Sequence, residues 1–199
     1  MQSTNGIVKL SEVTQEQFDQ AIEVYVESFY DMMSKTITKD RAKLRAIYAE
    51  CFDPAQVFVY VSEGRVLGFL GWASAGNHSI KPVRRVITKQ LGPWGHFVHW
   101  GLNYYQPKSQ GDDHGIVEYL AVDPAARGQR VGAKLLQYLC DNLPYRAYTL
   151  ETTDENTSAV KLYTRMGFVK LPKKLSPLVR GFAKVFKLGT PIYMKLELT

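Results

Sequence analysis

The sequence predicts a single α/β domain, over residues 1–199, with a mixed central β-sheet flanked by helices. Two observations lead to this class. Segments rich in β-branched and aromatic residues alternate with segments whose apolar residues recur at helical spacing. Hydrophobic residues make up 45% of the chain and charged residues 22%, which is typical of a globular protein rather than a disordered or fibrous one.

The first third of the chain predicts a strand, two helices and a hairpin. Apolar positions at helical spacing mark the helices, and β-branched and aromatic residues mark the strands. The turn of the hairpin is Ser62-Glu63-Gly64-Arg65. The predicted elements are a strand at 7–10, helices at 15–33 and 39–51, and strands at 57–61 and 66–72.

Residues 75–115 are rich in glycine and proline, which indicates an insertion before the next strand. Within it, Val83, Val86, Ile87 and Leu91 recur at helical spacing and predict a short helix. The remaining predicted elements are strands at 116–122, 147–151, 168–171 and 192–198, and helices at 130–142 and 156–166.

Several classes of protein are disfavoured by composition. No apolar run approaches the roughly 18–20 residues that span a bilayer, and residues 1–6 lack the basic and apolar regions of a signal peptide, so we expect a cytoplasmic location. Cys51 and Cys140 have no metal-like or redox-like spacing and suit reduced, buried thiols; no metal site is predicted. The net charge of +6 favours an anionic partner, either a nucleic acid or a phosphorylated cofactor.

The stretch from Val122 to Ala133 leaves a predicted strand, turns and enters a predicted helix. Free amide N–H groups and the helix dipole make such a helix start an anion site. Gly128 and Gly132 remove side chains that would obstruct a pyrophosphate. Taken alone, an ordinary turn with glycines for chain reversal explains this pattern equally well.

A second stretch, from Asn156 to Phe168, predicts a helix with a polar start and an abrupt end. Asn156 is suited to cap the helix, Ala159 keeps one face open, and Gly167 ends the helix before a strand. Tyr163 lies two turns after the cap.

Together the two stretches resemble the signatures of the GNAT superfamily of acetyltransferases. The first resembles Arg/Gln-x-x-Gly-x-Gly/Ala after a strand ending in Leu-Ala-Val-Asp-Pro, and the second resembles Asn-x-x-Ala-x-x-x-Tyr-x-x-x-Gly-Phe. Arg130 departs from the pattern, since a glycine is usual there. The resemblance implies a single-domain GNAT fold, with insertions before the cofactor-binding strand and between the last two strands, and acetyl-CoA as co-substrate.

The resemblance also assigns residues to the cofactor. Arg130 must then point away from it or offer its guanidinium to a phosphate. The residues implied in acetyl-CoA binding are Leu120, Ala121, Val122, Arg127, Gly128, Gln129, Arg130, Val131, Gly132, Ala133, Asn156, Ala159 and Tyr163.

Acetyl transfer needs a polarised thioester carbonyl, a neutral amine and a proton for the leaving thiolate. The resemblance assigns the first to a main-chain N–H near residues 120–122 and the last to Tyr163 as general acid. Two carboxylates are candidate bases. Glu118 stands on the cofactor-binding strand where some GNAT enzymes carry a catalytic histidine, and Glu151 lies five residues before Asn156, as in others. For either one, anchoring a cationic acceptor is an equally good role, and we favour Glu118 slightly as the base.

The insertion carries histidines and aromatic residues that point less clearly to chemistry. We interpret the histidines as surface or packing residues, because a pair without a third ligand is a weak metal signal. Basic residues beside aromatic ones allow single-stranded nucleic-acid binding, but such rings more often fill a core or wall a substrate pocket. The histidines are His78, His96, His99 and His114, the basic residues Arg84, Arg85 and Lys89, and the aromatic residues Trp94, Phe97, Trp100, Tyr104 and Tyr105.

The predicted function is N-acetylation of a primary amine, with a small molecule as the favoured acceptor. A peptide or protein amine, or a non-catalytic acyl-CoA-binding module, is the alternative. We expect neither a nucleic acid nor a membrane as partner, and a homodimer is compatible with the sequence.

Residues 173–188, between the last two predicted strands, predict a short basic amphipathic helix. We expect it to roof the acceptor pocket or to pack structurally, in preference to lying on an anionic membrane. The apolar side is Leu178, Phe182, Val185 and Phe186, and the basic side Arg180, Lys184 and Lys187.

Overall fold

One mixed sheet organises the computed structural model, which describes residues 5–104, 106–107, 111–172, 181, 184–187 and 189–198. Its seven strands follow the order β1-β2-β3-β4-β5-β7-β6. They are β1 (Gly6–Lys9), β2 (Val57–Ser62), β3 (Arg65–Ala73), β4 (His114–Val122), β5 (Ala147–Thr153), β6 (Val169–Lys170) and β7 (Pro191–Glu197).

Helices cover both faces of this sheet. They are α1 (Gln15–Thr36), α2 (Arg41–Cys51), α3 (Arg84–Leu91), α4 (Trp94–Tyr104), α5 (Val131–Asn142) and α6 (Thr157–Arg165). Alternate residues of β3 serve opposite faces, as the pleat of a strand requires: Phe69 packs with the helices of the first half of the chain, and Leu70 with α5 and α6. The predicted α/β class with a mixed, helix-flanked sheet is confirmed.

The first helices and the hairpin begin where local chemistry favours it. Thr14 and Gln17 form a reciprocal capping box at the start of α1, with both hydrogen bonds 3.2 Å long. Asp40 caps α2 through the N–H of Lys43. The predicted hairpin turn is present, with Glu63 and Gly64 at φ values of 52° and 77°.

The insertion before β4 differs from its prediction, because it contains a second helix that we did not predict. The helix near Val83–Leu91 is present as α3, but α4 follows it after two residues. Two glycines lower the helix propensity of α4, and its aromatic residues are exposed rather than buried, so its sequence lacks a clear amphipathic period. Gly95 allows α4 to approach closely, since a Cβ there would lie 2.7 Å from the Cα of Thr88.

The aromatic residues of α4 do not fill the core. Trp94, Phe97, Trp100 and Tyr104 are each about half exposed and form a row of adjacent rings, with centroids 4.9, 5.8 and 5.2 Å apart in turn. Tyr105 lies outside the described residues. Of the two roles expected for these rings, filling a core does not apply to these four.

The predicted helix at 173–188 lies largely outside the described residues, including Leu178, Arg180 and Phe182. Residues 181 and 184–186 are helical, and Val185 is 75% exposed. The chain then returns as β7, which inserts between β5 and β6. Both cysteines are free; Cys51 is buried and Cys140 half-buried.

Candidate active site

A cleft opens between the two central strands β4 and β5. Their parallel ladder runs from His114–Ala147 to Val117–Leu150 and then ends. Beyond it, residues 119–122 pair with β3 on one side, and residues 151–153 pair with β7 on the other. The edges of these two segments that face the opening are not paired with each other.

Glu118 occupies a β-bulge at the start of this opening. The register between β3 and β4 shifts at this point, because Gly71 pairs with Tyr119 and Trp72 pairs with Val117, so Glu118 has no opposite residue. A bulge bends its strand and redirects the side chain of the extra residue. Here the side chain is turned toward the insertion.

The carboxylate of Glu118 is enclosed by the loop that leaves β3. Its Oε1 lies 2.6 Å from Nδ1 of His78, and its Oε2 accepts hydrogen bonds from the N–H and the hydroxyl of Ser79 at 2.7 and 2.6 Å. The Glu118 side chain is 4% exposed. We interpreted His78 as a surface or packing histidine, and the structure places it against a buried carboxylate. The two residues are 40 positions apart, so no local motif could have joined them.

Glu151, the other candidate base, is the first residue of β5 beyond the ladder and is exposed. It pairs with Tyr193 of β7. Burial, the charge of Glu151 and a hydrogen bond to it together raise the pKa of Tyr193 above its usual range. The two candidate carboxylates thus stand at the same end of the cleft, Glu118 enclosed and Glu151 open.

The loop between β4 and α5 presents unpaired amides, as expected for an anion site. The first intrahelical bond of α5 runs from the N–H of Lys134 to the carbonyl of Arg130 at 3.0 Å, and no side chain caps the helix. Among the described residues, five amides of this loop and of the first turn of α5 have no acceptor. They belong to Gly128, Arg130, Val131, Gly132 and Ala133.

Arg130 has the backbone conformation that its position in the motif usually reserves for glycine. It is the N-cap of α5, with φ 61° and ψ 20°. This left-handed region costs a non-glycine residue roughly 1–2 kcal/mol. Strain of this kind tends to persist where surrounding structure or function requires it. Arg130 is exposed, as are Arg127 and Gln129.

The two glycines of the loop have different roles. Gly128 has φ 83°, a backbone conformation that glycine adopts without strain. A Cβ there would meet nothing within 4 Å, so the space around Gly128 is open. Gly132 is buried, and its Cβ would lie 3.1 Å from Leu162 and 3.6 Å from Leu120 and Val122. Gly132 therefore lets α5 pack against α6 and β4, whereas the open space over the amides lies at Gly128.

The second motif forms the start and one face of α6. The side-chain oxygen of Asn156 accepts hydrogen bonds from the N–H of Ala159 at 3.2 Å and the hydroxyl of Ser158 at 3.1 Å, so the predicted cap is present. Tyr163 is 6% exposed and packs on Phe168. Burial raises its pKa to about 12, so the hydroxyl stays protonated at neutral pH. Among the described residues this hydroxyl has no hydrogen-bond partner.

A cavity of about 510 Å³ lies between the loop after β3 and the C-terminal end of α4. His78 joins it to the buried Glu118. Its polar wall is formed by His78, Asn103, Tyr104, Gln106 and Asp112. Tyr104 therefore has the predicted place in a pocket wall, while Trp94, Phe97 and Trp100 do not line this cavity.

No helix in the described part of the chain is both long and apolar enough to cross a bilayer. No group of three or more His, Cys, Asp or Glu side chains is placed there to hold a metal ion.

The sequence is similar to known acetyltransferases. The family model described as "Acetyltransferase (GNAT) family" matches residues 18–168. A mycothiol acetyltransferase of Mycobacterium sp. (strain JLS) is 38% identical over 74 residues, which are 34% of this chain and 25% of that protein. The probable N-acetyltransferase camello of Xenopus laevis is 30% identical over 101 residues, 49% of this chain and 45% of that protein.

The fold is also similar to solved structures. A crystal structure of "histone acetyltransferase HPA2 and related acetyltransferase" from Corynebacterium glutamicum is 24% identical, with a TM-score of 0.61, and the match covers 98% of this chain and 96% of that one. The chain spans about a quarter of the length of the mycothiol acetyltransferase and less than half of camello. The family model covers most of the sequence and the sheet has the matching fold, so the chain belongs to the GNAT family of acetyltransferases, which use acetyl-CoA as acetyl donor.

Proposed function

We propose that residues 1–199 act as one acetyltransferase domain that transfers the acetyl group of acetyl-CoA to a primary amine by direct attack, and that the acceptor is a small molecule. The observation that carries this proposal is the cleft between β4 and β5. The unpaired amides lie in the loop that follows β4, and Glu118 lies where the β4–β5 ladder ends, in contact with the wall of the cavity.

Acetyl-CoA supplies a thioester whose carbonyl carbon accepts the amine. The five unpaired amides of the loop and of the first turn of α5 suit its pyrophosphate, and Arg127 and Arg130 add positive charge at the same place. The edge of β4 at residues 120–122, which is not paired with β5, suits the amide groups in the arm of acetyl-CoA. It also offers an N–H to the thioester carbonyl. Asn156 and Ala159, at the start of α6, are the proposed contacts on the other side.

Tyr163 is the proposed general acid. Its hydroxyl is protonated at neutral pH because burial raises its pKa to about 12, and it has no partner among the described residues that would hold the proton elsewhere. A proton donated to the sulfur as the C–S bond breaks prevents a free thiolate from building up and so assists the departure of CoA. Glu118 and Glu151 remain the two carboxylates proposed to assist the amine, Glu118 through its contact with His78.

The cavity favours a small acceptor. Its volume, about 510 Å³, lies in the range of small-molecule sites. Asp112 in its wall supplies a negative charge for an ammonium group. The name of the mycothiol acetyltransferase, which denotes a small-molecule acceptor, points the same way for the segment that is similar to it.

The proposal is tested by supplying the protein with acetyl-CoA and a panel of amines. We suggest tryptamine, spermidine, an aminoglycoside and a peptide with a free α-amino group, with thiol release and product mass as readouts. We expect acetylation of at least one small amine. Acetylation of peptides alone would contradict the small-molecule acceptor, and acetyl-CoA binding without any acetylated product would favour the non-catalytic module.

A further inference from the structure

We propose that His78 takes the proton from the acceptor's ammonium group in the cavity, and that Glu118 acts through it as a positioning residue. The proposal deepens the acetyl transfer proposed above and rests on it. It rests on four features of the structure: the contact between the two side chains, the way Glu118 is held, the accessible side of the imidazole, and the charge in the cavity wall.

The contact between the two side chains assigns the tautomer of His78. A carboxylate can only accept hydrogen bonds, so the Nδ1 that lies 2.6 Å from Oε1 of Glu118 must carry the hydrogen. A neutral imidazole protonated on Nδ1 has its free lone pair on Nε2. The Glu118 contact thus leaves Nε2 as the proton-accepting atom.

Glu118 itself is poorly placed to meet an acceptor. Its side chain is 4% exposed, and each oxygen already accepts at least one hydrogen bond. Ser79 holds Oε2 twice, and β3 makes room for Ser79 with a glycine: a Cβ on Gly71 would lie 2.6 Å from the Ser79 hydroxyl oxygen. The carboxylate is therefore a rigid anchor, whose orientation is set by the bulge of β4 and by the loop after β3.

The side chain of His78 lines the cavity, whereas that of Glu118 does not. Its side chain is 17% exposed and forms part of the cavity wall. Nε2 lies on the side of the ring away from Glu118, and among the described residues it has no hydrogen-bond partner. Asp112, in the same wall, provides a charge that attracts an ammonium. These features place a proton acceptor and a counter-charge in one cavity beside the end of the β4–β5 ladder.

The protons balance in this scheme. The ammonium gives one proton to Nε2 of His78, which later returns it to solvent, and the neutral amine forms a bond to the thioester carbon. The C–S bond breaks, and the sulfur takes a proton from Tyr163. The attacking nitrogen loses its second proton, which restores Tyr163. The products are the amide and free CoA thiol, and one proton is released.

The competing explanation is structural, since the same contact fastens the insertion to the sheet. Glu118→Gln separates the two explanations. Its amide oxygen is expected to keep the Ser79 contacts, and its amide NH₂ then donates to Nδ1, which moves the imidazole hydrogen to Nε2. Long-range ¹H–¹⁵N spectra of His78 should show a protonated Nδ1 in the wild type and a protonated Nε2 in Glu118→Gln. An Nε2-protonated wild type would overturn the proposal without any knowledge of the acceptor.

Turnover provides the second test, with whichever amine of the panel the wild type acetylates. His78→Gln keeps a donor to Glu118 and so protects the fold, yet it has no basic nitrogen; we expect kcat to fall about 10²-fold or more. In His78→Ala, added imidazole should restore activity, and restoration should be much weaker in the His78→Ala, Glu118→Gln double variant. His96→Ala is the matched control, because His96 is an exposed histidine of the same insertion whose ring lies against Arg84.

Each outcome decides the proposal. Wild-type kcat in His78→Gln, or equal rescue of the single and double variants by imidazole, would overturn it. Acetyl-CoA affinity, measured on the same variants, should stay at the wild-type value. If the wild type binds acetyl-CoA but acetylates no amine, the proposed function fails, while the tautomer spectra still test the contact between His78 and Glu118.

Discussion

The cofactor half, residues 114–168, and the insertion, residues 74–113, obtain their proposed functional groups in different ways. In the cofactor half, the unpaired amides and Tyr163 come from two contiguous motifs, each formed by a strand or turn followed by a helix. In the insertion, His78 acquires its partner from a strand 40 residues away. The groups proposed for acetyl-CoA are therefore close together in the sequence, whereas the groups proposed for the acceptor depend on how the insertion packs on the sheet.

The largest expected effect tests the cofactor half of this comparison, at the proposed general acid Tyr163. Tyr163→Phe removes the proton and keeps the ring, so kcat should fall by roughly 10² or more while the acetyl-CoA Kd stays near the wild-type value. Tyr138→Phe is the control, because Tyr138 is a half-buried tyrosine on α5 that packs on Phe58. Steady-state kinetics and calorimetric titration provide the two readouts. An unchanged kcat would remove Tyr163 from the chemistry.

The raised pKa of Tyr163 predicts that the stability of the protein depends on pH. Burial raises the pKa of Tyr163 in the folded protein to about 12, from the usual 10.0. A raised pKa means that the unfolded chain loses this proton first, so the free energy of unfolding should fall as pH rises from about 10 to about 12. Urea unfolding across this range should show a smaller fall in Tyr163→Phe than in the wild type. An equal fall would mean that Tyr163 ionises as it does in the unfolded chain.

Substitutions of two glycines in α4 test the insertion, where the acceptor is proposed to bind. A Cβ on Gly95 would lie 2.7 Å from the Cα of Thr88 and 2.8 Å from the carbonyl oxygen of Ile87, so Gly95→Ala must separate α3 from α4. We expect a loss of about 1–3 kcal/mol and a higher acceptor KM, with the acetyl-CoA Kd unchanged. Gly101 has open space around it, and Gly101→Ala should gain about 0.5–1 kcal/mol.

Thermal unfolding and kinetics of these two variants measure how independent the regions are. A loss of acetyl-CoA affinity in Gly95→Ala equal to its loss of acceptor affinity would contradict the separation of the two sides. Equal stabilities of the two variants would contradict the close approach of α3 and α4.

The smallest expected effect concerns Arg130, the residue with a strained backbone in the loop between β4 and α5. Arg130→Gly removes a strain of roughly 1–2 kcal/mol, partly offset by the chain entropy of glycine, so stability should rise by about 0.5–1 kcal/mol. Acetyl-CoA affinity should fall if the guanidinium meets a phosphate, as we propose. Gln129→Gly is the control: φ is not positive there, and it should lose stability. A stability loss in Arg130→Gly would contradict the left-handed conformation.

Much of the fold was predictable, because its signals are periodic and local. The strands at 57–61 and 66–72 and the turn between them follow from β-branched residues around Glu63-Gly64, and α1 follows from its apolar stripe behind the Thr14 cap. Helix α4 was missed since Gly95 and Gly101 lower helix propensity and its aromatic rings are exposed, so the apolar residues do not mark one buried side. Its position depends on the close approach of Gly95 to α3, which neither helix propensity nor periodicity reports.

In the candidate site, as in the fold, the local features were predictable and the tertiary ones were not. Asn156 and Tyr163 were identifiable because cap and tyrosine share one helix. The burial of Glu118 depends on a bulge and on the loop after β3, and both are tertiary features. Gly132 was expected to keep the phosphate site open; its main contact is with Leu162, a residue of the other motif.

Binding of acetyl-CoA tests the central claim most directly. At a hundredfold excess over Kd, a ligand specific for the folded state stabilises it by about 2.7 kcal/mol, so acetyl-CoA should raise the melting temperature of the wild-type protein. ATP, an anionic nucleotide without the thioester arm, should produce a much smaller shift at the same concentration. A clear shift with acetyl-CoA alone is the result we predict. No shift with acetyl-CoA, or an equal shift with ATP, would contradict the assignment of the loop and the β4–β5 cleft to this cofactor.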